Sequence, residues 1–156
     1  MKKLLVALAL IVTIPLCATA ADLEVDGIKL GSGYKNPPKA GYACAPLLSD
    51  ALCKKVQPGS IFDAPATKVE MTYKNNRLTN IIVGFALGDA PKVGKALEKQ
   101  YGLATNARVV AKGVALAVWS FGDTEVHLTR DEGRKETSVQ MIEKGARSSS
   151  PGADEV

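Results

Sequence analysis

Apolar and polar residues alternate along positions 67–87, which predicts two strands joined by a tight turn. On both sides of a polar segment, Lys74–Arg77, the odd positions are mostly apolar: Val69, Met71, Tyr73, Ile81, Val83, Phe85 and Leu87. The odd-numbered faces of the two strands coincide only if the loop holds an odd number of residues. We therefore predict a three-residue loop, Lys74–Asn76, which pairs Val69 with Ile81.

A second hairpin is predicted later in the chain. Gly122-Asp123 suits a two-residue turn between the strands Val114–Phe121 and Thr124–Arg130. This register sets Trp119 opposite Val126. The residues that then share the buried face are Ala117, Trp119, Phe121, Val126 and Leu128, and those on the other face are Val114, Leu116, Val118, His127 and Thr129.

The spacing of apolar residues becomes helical between the two hairpins. Four of them share one stripe of a helix: Val93, Ala96, Leu97 and Tyr101. Asp89 suits the N-cap, Pro91 the first turn and Gly102 a left-handed C-cap. We expect this helix to pack on the odd-numbered face of the first hairpin.

Two further segments flank the second hairpin. Residues 103–112 are predicted to be a loop with a short strand, Arg108–Ala111. A last strand, Glu136–Ile142, is predicted with Val139 and Met141 inward, because its apolar residues alternate with polar ones.

Residues 31–66 are predicted to be a long loop, because they hold five of the eight prolines in the chain: Pro37, Pro38, Pro46, Pro58 and Pro65. The only regular element expected there is a helix of one to two turns near Pro46–Leu52. We expect a disulfide between Cys44 and Cys53 to staple this loop, with two unpaired buried thiols as the alternative. The loop is also expected to cover the second face of the hairpin at 114–130, with a partner surface on that face as the alternative.

The first twenty residues predict a secretory signal peptide rather than a part of the fold. Two lysines precede an apolar run, and Ala18–Ala20 is a small-x-small site for cleavage after Ala20. One alternative is a retained membrane anchor, for which the apolar run Leu4–Leu16 is short. The other is a lipid anchor at Cys17. We therefore expect a periplasmic or secreted protein, with no integral membrane segment after cleavage.

The mature chain is expected to form one α+β domain at residues 21–144, followed by a disordered tail at 145–156. The expected fold is an antiparallel sheet of five to six strands with one main helix packed on one face and the disulfide-stapled long loop. Loss of the signal leaves 18 basic and 16 acidic residues, and no basic cluster is interleaved with aromatic residues. Nucleic acid is therefore not an expected partner.

Residues typical of catalysis are few. The single histidine, His127, lies beside Glu125 on the same strand face, so one hypothesis is a hydrolase that uses His127 as a base. No motif sets a nucleophile beside it, which favours an ordinary strand histidine instead. The sequence has no metal-ligand spacing and no phosphate-binding motif. We therefore expect no catalytic, metal or cofactor site.

Binding residues are better represented. Tyr34 and Tyr42 flank Pro37-Pro38 in the long loop, and tyrosines on a stapled loop are common anchors at interfaces. The alternative is that both rings cover the sheet. We take Tyr34 and Tyr42 as candidate partner-binding residues, with another protein as the expected partner.

Four segments resemble small exported bacterial domains. They are GIKLG at 27–31, VEMTYKNNRLTNIIVGF at 69–85, KQYG at 99–102 and WSFGDTEVHLTR at 119–130. They are similar to the SmpA/OmlA-like and β-lactamase-inhibitor-protein-like domains, in which helices pack on one face of an antiparallel sheet. The resemblance implies an envelope-assembly accessory or a protein inhibitor, not an enzyme. The chain departs from these families after GIKLG, where a cysteine-containing loop replaces a helix, so no family site is carried over.

The leading functional hypothesis is a periplasmic protein-binding module, such as an inhibitor or immunity protein against a secreted enzyme. It is motivated by a stapled loop on a sheet scaffold that lacks a catalytic set. An envelope-assembly or structural accessory is the first alternative, and the hydrolase using His127 is the second.

Overall fold

The computed structural model describes residues 23–35, 37–48 and 50–146, in which strands far outnumber helices. The strands are β1 Glu24–Val25, β2 Ile28–Lys29, β3 Tyr42–Leu47, β4 Asp50–Lys55, β5 Ser60–Ile61, β6 Ala64–Lys74, β7 Arg77–Ala86, β8 Asn106–Ala111, β9 Val114–Phe121, β10 Thr124–Asp131 and β11 Glu136–Glu143. The single α-helix of these residues, α1, spans Ala90–Tyr101. Short 3₁₀ turns, Leu87–Asp89 and Lys144–Ala146, precede α1 and follow β11.

The prediction of an α+β fold with five to six strands is wrong, since the described residues are mostly β. The difference lies chiefly in residues 31–66, which contain β3, β4 and β5 instead of a loop with a helix near Pro46–Leu52. Pro46 lies in β3, which pairs with no described strand other than β4. A proline in an edge strand removes no hydrogen bond to a second neighbour, so it is compatible with the strand.

One antiparallel sheet of nine strands contains most of these elements. Its order is β3-β4-β6-β7-β11-β10-β9-β8, and β5 pairs with the first residues of β6. The strands β1 and β2 form a separate hairpin. The pairing of β7 with β11 joins segments far apart in the sequence, whereas most other neighbours in the sheet are close along the chain. The arrangement leaves β3 and β8 as the two edges.

The first hairpin, β6–β7, turns through two residues and not through the predicted three, Lys74–Asn76. Asn75 and Asn76 both have positive φ, 48° and 64°, and Lys74 pairs with Arg77. Asparagine tolerates the left-handed conformation, and two such residues in succession match the right-handed twist of the strands.

A two-residue turn alone would pair odd positions of β6 with even positions of β7, and a bulge in β7 restores the pairing of odd with odd. Thr79 is left without a partner on β6, and its hydroxyl donates a hydrogen bond of 3.3 Å to the carbonyl oxygen of Thr72. Beyond the bulge the odd-numbered faces coincide as predicted, but Val69 pairs with Val83 instead of Ile81. The extra residue that we assigned to the loop therefore lies inside a strand.

The second hairpin, β9–β10, has the predicted register. Gly122-Asp123 forms the turn, Trp119 lies opposite Val126, and Val118 lies opposite His127. The last strand is confirmed as β11, and Val139 and Met141 are buried as predicted, together with Thr137.

Helix α1 begins after Asp89 and ends before Gly102, as predicted, and Gly102 has a φ of 80°. Asp89 makes no side-chain cap hydrogen bond. Val93 and Leu97 are fully buried in one core with odd-position residues of the first hairpin, among them Val69, Met71, Ile81, Val83 and Phe85. The indole Nε1 of Trp119 donates a hydrogen bond of 2.8 Å to the carbonyl oxygen of Gly102. The helix therefore packs on the face of the sheet that we predicted.

The opposite face of β9 and β10 is not covered by residues 31–66, contrary to our expectation. Those residues extend the sheet at its other edge, as β3 and β4. The side chains concerned are each half-buried: Val114, Leu116, Val118, His127 and Thr129.

Both predicted terminal segments lie mainly outside the described residues. The signal peptide, with Cys17, lies wholly outside them. Of the predicted tail at 145–156, only 145 and 146 are described, within the turn Lys144–Ala146. In the described part of the chain, no helix is long and apolar enough to cross a membrane.

Candidate functional site

The predicted disulfide is present between Cys44 and Cys53, with an S–S distance of 2.04 Å. The two residues are directly opposite each other in β3 and β4, so the bond links neighbouring strands and does not staple a loop. Cys53 is fully buried and Cys44 is half-buried. A disulfide is compatible with an extracellular or periplasmic location, because such bonds persist in oxidising compartments.

Tyr42 is turned into the fold, with 6% of its surface exposed. Its hydroxyl donates a hydrogen bond of 2.9 Å to Asp26 Oδ2, to which Lys55 Nζ also donates at 2.5 Å. Burial and the Asp26 carboxylate together raise the pKa of Tyr42. Partial burial opposes ionisation of Asp26, but the hydrogen bonds from Lys55 and Tyr42 lower the pKa of this carboxyl group. The position of Tyr42 agrees with the alternative that its ring covers the sheet.

Tyr34 is half-buried and also faces the sheet. Its ring packs edge-on against Tyr73, with 5.0 Å between the ring centroids. The hydroxyl oxygens of Tyr34 and Tyr73 are buried, and neither makes a hydrogen bond to a described residue. Tyr34 and Tyr42 therefore contribute more to the interior than to a surface at which a partner binds.

His127 and Glu125 meet as the sequence predicted, with 2.8 Å between His127 Nε2 and Glu125 Oε2. The Ser120 hydroxyl donates a hydrogen bond of 3.3 Å to Glu125 Oε1, and Lys144 Nζ lies 3.8 Å from the same oxygen. The hydrogen bond to His127 is the main reason that the pKa of Glu125 is lowered. A serine nucleophile must hydrogen-bond to the imidazole of the histidine that acts as its base. Here the Ser120 hydroxyl is hydrogen-bonded to the Glu125 carboxylate instead. Among the described residues no group of histidine, cysteine and acidic side chains is arranged to hold a metal ion.

A large concave surface lies between the start of α1 and the strands β8–β10, and we call it the helix–edge groove. It has a volume of about 990 Å³ and is lined by Leu87 and Pro91 from the helix side and by Ala107, Val109, Ala115 and Leu128 from the sheet. The lining is mainly apolar. This size and lining are typical of a site that binds an apolar group.

The helix–edge groove exists because the residues below the start of the helix are small. Ala107 lies opposite Ala117, and Val109 lies opposite Ala115, on the face of β8 and β9 that the helix overhangs. Farther along, the helix approaches the sheet closely, since a Cβ added at Gly94 would lie 3.6 Å from Leu128 Cδ2. Sequence reasoning missed this site because it treated the first half of β8 as a loop. The alternation Ala107, Val109 together with Ala115, Ala117 was the available signal.

The strand β8 borders the groove and is the exposed edge of the sheet. It pairs only with β9, and all six of its residues are exposed. Val109 and Val110 are 75% and 48% exposed, which is uncommon for valines in a folded strand. The backbone groups on the outer side of β8 have no neighbouring strand among the described residues.

Two arginines lie at the rim of the groove. Arg130 pairs with Glu132, with 3.0 Å between Nη2 and Oε1, and half of its side chain is exposed. Arg108 is exposed and makes no ion pair with any other residue of the described ranges. It borders the groove and also a smaller cavity on the opposite face, which includes His127. The rim thus has one cation whose charge is not neutralised.

Comparisons with known proteins do not assign the chain to a family. No family model matches it, and no curated protein matches it. A solved structure of a DUF4309 family protein (YjgB) from Bacillus subtilis is similar over 52% of this chain and 59% of that chain, at 18% identity and a TM-score of 0.35. Similarity at this level does not establish a shared fold. The resemblance to the SmpA/OmlA-like and β-lactamase-inhibitor-protein-like domains stays a prediction.

Proposed function

We propose that the chain is an exported protein-binding module that pairs its edge strand β8 with an extended segment of another protein. The observation that carries this proposal is the exposure of β8 along its whole length, with pairing on one side only. A row of free N–H and C=O groups at a sheet edge is a template for the addition of a strand. The adjoining groove offers a place for side chains of that strand.

The other edge of the sheet is less suited to this role. Strand β3 contains Pro46, which lacks the N–H that a ladder requires. Natural proteins protect their edges with prolines, charges and bulges. In β8 the only charged residue is Arg108, and there is no proline; its one irregularity in register lies between Val109 and Ala111, near the end of the strand. An edge left open in this way is consistent with a binding role.

Two features that are typical of exported proteins support the proposal. The N-terminal signal pattern and the Cys44–Cys53 disulfide are both typical of periplasmic or secreted proteins. An inhibitor or immunity protein against a secreted enzyme would act through such a contact, and so would an envelope-assembly accessory. A hydrolase that uses His127 is less well supported, because the Ser120 hydroxyl donates its hydrogen bond to Glu125 and not to His127.

Peptide selection followed by amide hydrogen exchange tests the proposal. The mature chain from Ala21, with its disulfide intact, is used to select binders from a displayed library of random peptides of about eight residues, a length that matches a typical strand. Selected peptides are synthesised and added to the protein. We expect slower exchange at alternate amides of β8 and unchanged exchange in β3.

N-methylation of the selected peptides distinguishes strand addition from side-chain contact. Methyl groups on alternate backbone nitrogens should abolish binding in the register that faces β8 and leave binding intact in the other register. Failure to select any binder, protection confined to another region, or equal binding in both methylated registers would contradict the proposal.

A further inference from the structure

We infer that the segment that pairs with β8 carries a large apolar side chain, which occupies the helix–edge groove, next to a carboxylate that binds Arg108. The inference rests on the proposed pairing of β8 and adds the chemistry of the partner. It depends on three features of the described residues: the alternation of faces along β8, the apolar lining of the groove and the unpaired charge at its rim.

The faces of β8 decide which side chains of a partner could enter the groove. Ala107 and Val109 face the groove and Arg108 lies between them on the strand. Side chains on a newly added strand alternate in the same way, and those directly opposite one another lie about 5 Å apart at Cβ. Every second residue of the partner therefore faces the groove, and its sequence neighbours lie on the face of Arg108.

The size of the groove calls for a large side chain. Its volume of about 990 Å³ lies above small, mainly alanine side chains in the sheet. A serine or alanine on the added strand would leave most of this space unfilled, whereas phenylalanine, leucine or tryptophan would bury apolar surface against Pro91 and Leu128. A charged side chain there would lose its hydration without gaining a partner.

The positive charge of Arg108 at the rim favours an acidic residue next to the apolar residue of the partner segment. Arg108 is exposed and makes no ion pair with a described residue, whereas Arg130 already contacts Glu132. A guanidinium group binds a carboxylate through two parallel hydrogen bonds. Because Arg108 precedes Val109, the carboxylate belongs to a residue adjacent to the large apolar one. The expected motif is an apolar residue flanked by aspartate or glutamate in an extended segment.

Two other occupants fit the groove less well. In a dimer formed through β8, Arg108 and Lys112 of one copy would lie near the same two residues of the other copy. Their positive charges would repel one another. The C-terminal residues 147–156 have two acids, Asp154 and Glu155, but no large apolar residue. Charge and size together therefore favour a different protein.

Three synthetic peptides test the inference with the mature protein. The first is an extended peptide with phenylalanine between two glutamates; in the second, alanine replaces the phenylalanine; in the third, lysines replace both glutamates. Affinity is measured by calorimetry and β8 protection by hydrogen exchange. We expect each replacement to weaken binding by about tenfold or more, the first by loss of the central anchor and the second because repulsion replaces attraction at Arg108.

Variants of the protein locate each effect. Ala107→Phe, at an exposed position, should fill the groove. It should weaken binding of the phenylalanine peptide by about tenfold and change binding of the alanine peptide little. Arg108→Glu should reverse the preference between the glutamate and lysine peptides. Lys112→Glu is the matched control, since it makes the same change of charge in the turn after β8, away from the groove, and should leave that preference unchanged.

The outcomes separate this inference from the proposed function. Slowed exchange in β8 with equal affinity for all three peptides would overturn the inference and leave strand addition standing. A preference for the glutamate peptide that survives Arg108→Glu would also overturn it. Peptides of this series that bind without protecting β8 would overturn strand addition itself. A dimer formed by the free protein and blocked by Ala107→Phe would assign the groove to a second copy and contradict the inference.

Discussion

Asp26 is the residue that ties the small β1–β2 hairpin to the main sheet. Its carboxylate accepts hydrogen bonds from Tyr42 in β3 and Lys55 at the end of β4, and its carbonyl oxygen accepts one of 2.7 Å from Lys39 Nζ. Asp26 has a φ of 56°, a conformation that aspartate and asparagine adopt more readily than most residues. The Asp26 side chain thus connects the hairpin to both β3 and β4, which are more than a dozen residues away in the sequence.

Replacement of Asp26 tests this connection. Asp26→Asn keeps the turn conformation but removes the charge, so we expect a loss of about 1–2 kcal/mol in the free energy of unfolding at pH 7. Because the pKa of Asp26 is lowered in the folded state, its contribution is present above the unfolded pKa of about 4 and is lost as the pH falls through the folded pKa. Urea unfolding at pH 7 and pH 3 measures both effects.

Asp63→Asn is the matched control for this prediction. Asp63 also has a positive φ, 59°, and it is exposed and makes no side-chain hydrogen bond with a described residue. It should change stability by less than about 0.5 kcal/mol. Equal losses for the two variants, or a loss for Asp26→Asn that persists unchanged at pH 3, would show that the carboxylate does not hold the hairpin.

At the scale of elements, the β6–β7 hairpin shows how a turn and a bulge compensate each other. The two-residue turn through Asn75 and Asn76 alone would place the odd-numbered faces of the strands on opposite sides. The unpaired residue Thr79 reverses this shift, so the apolar residues of both strands reach the core. The turn therefore depends on residues that accept positive φ, and the bulge sets the register beyond it.

Substitution of Asn76 tests the turn. Its φ is 64°, so Asn76→Ala should destabilise the protein by about 1 kcal/mol, whereas Asn76→Gly should be neutral or stabilise it by up to about 1 kcal/mol. Urea denaturation followed by tryptophan fluorescence measures both. Similar effects of alanine and glycine would mean that backbone conformation does not limit this turn.

At the scale of the whole molecule, three tyrosines are held in the interior, on different elements. Tyr42 and Tyr73 lie on β3 and β6, and Tyr101 lies at the end of α1, where its ring packs at 5.5 Å from that of Phe121. Burial is the first cause that raises the pKa of each phenol, and for Tyr101 the raised pKa is about 12. The unfolded chain would ionise near pH 10.

These positions predict a fold that weakens at alkaline pH. A phenol with a raised folded pKa stabilises the protein below pH 10, and the stabilisation is lost as the pH rises towards the folded value. Between pH 8 and pH 11 the free energy of unfolding should fall less in Tyr101→Phe than in the wild type. The difference should be about 1 kcal/mol or less, because the ring of Tyr101 is partly exposed. Denaturant titrations at the two pH values measure it. An equal loss in the wild type and the variant would contradict the prediction.

The success of sequence reasoning varied along the chain for physical reasons. The β9–β10 register was predicted correctly because Gly122-Asp123 suits a two-residue turn and no bulge interrupts the pairing of the two strands. The region 31–66 was misjudged because its prolines and glycines read as loop signals, although Pro46 is acceptable at an edge. The helix–edge groove was missed because the first half of β8 was taken as a loop, and its depth depends on the distance of α1 from Ala107 and Ala115, which the sequence does not give.

The sequence by itself determined the odd-numbered buried faces, the extent of helix α1, the register of β9–β10 and the pairing of Cys44 with Cys53. Each of these follows from periodicity, capping or the chemistry of nearby residues, which act over a few positions. Only the tertiary structure decided that β7 pairs with β11, that β3 and β8 are the edges and that Tyr42 points inward. Those outcomes depend on contacts between segments far apart in the chain. Our proposal that β8, and not the predicted loop at residues 31–66, binds a partner rests on them.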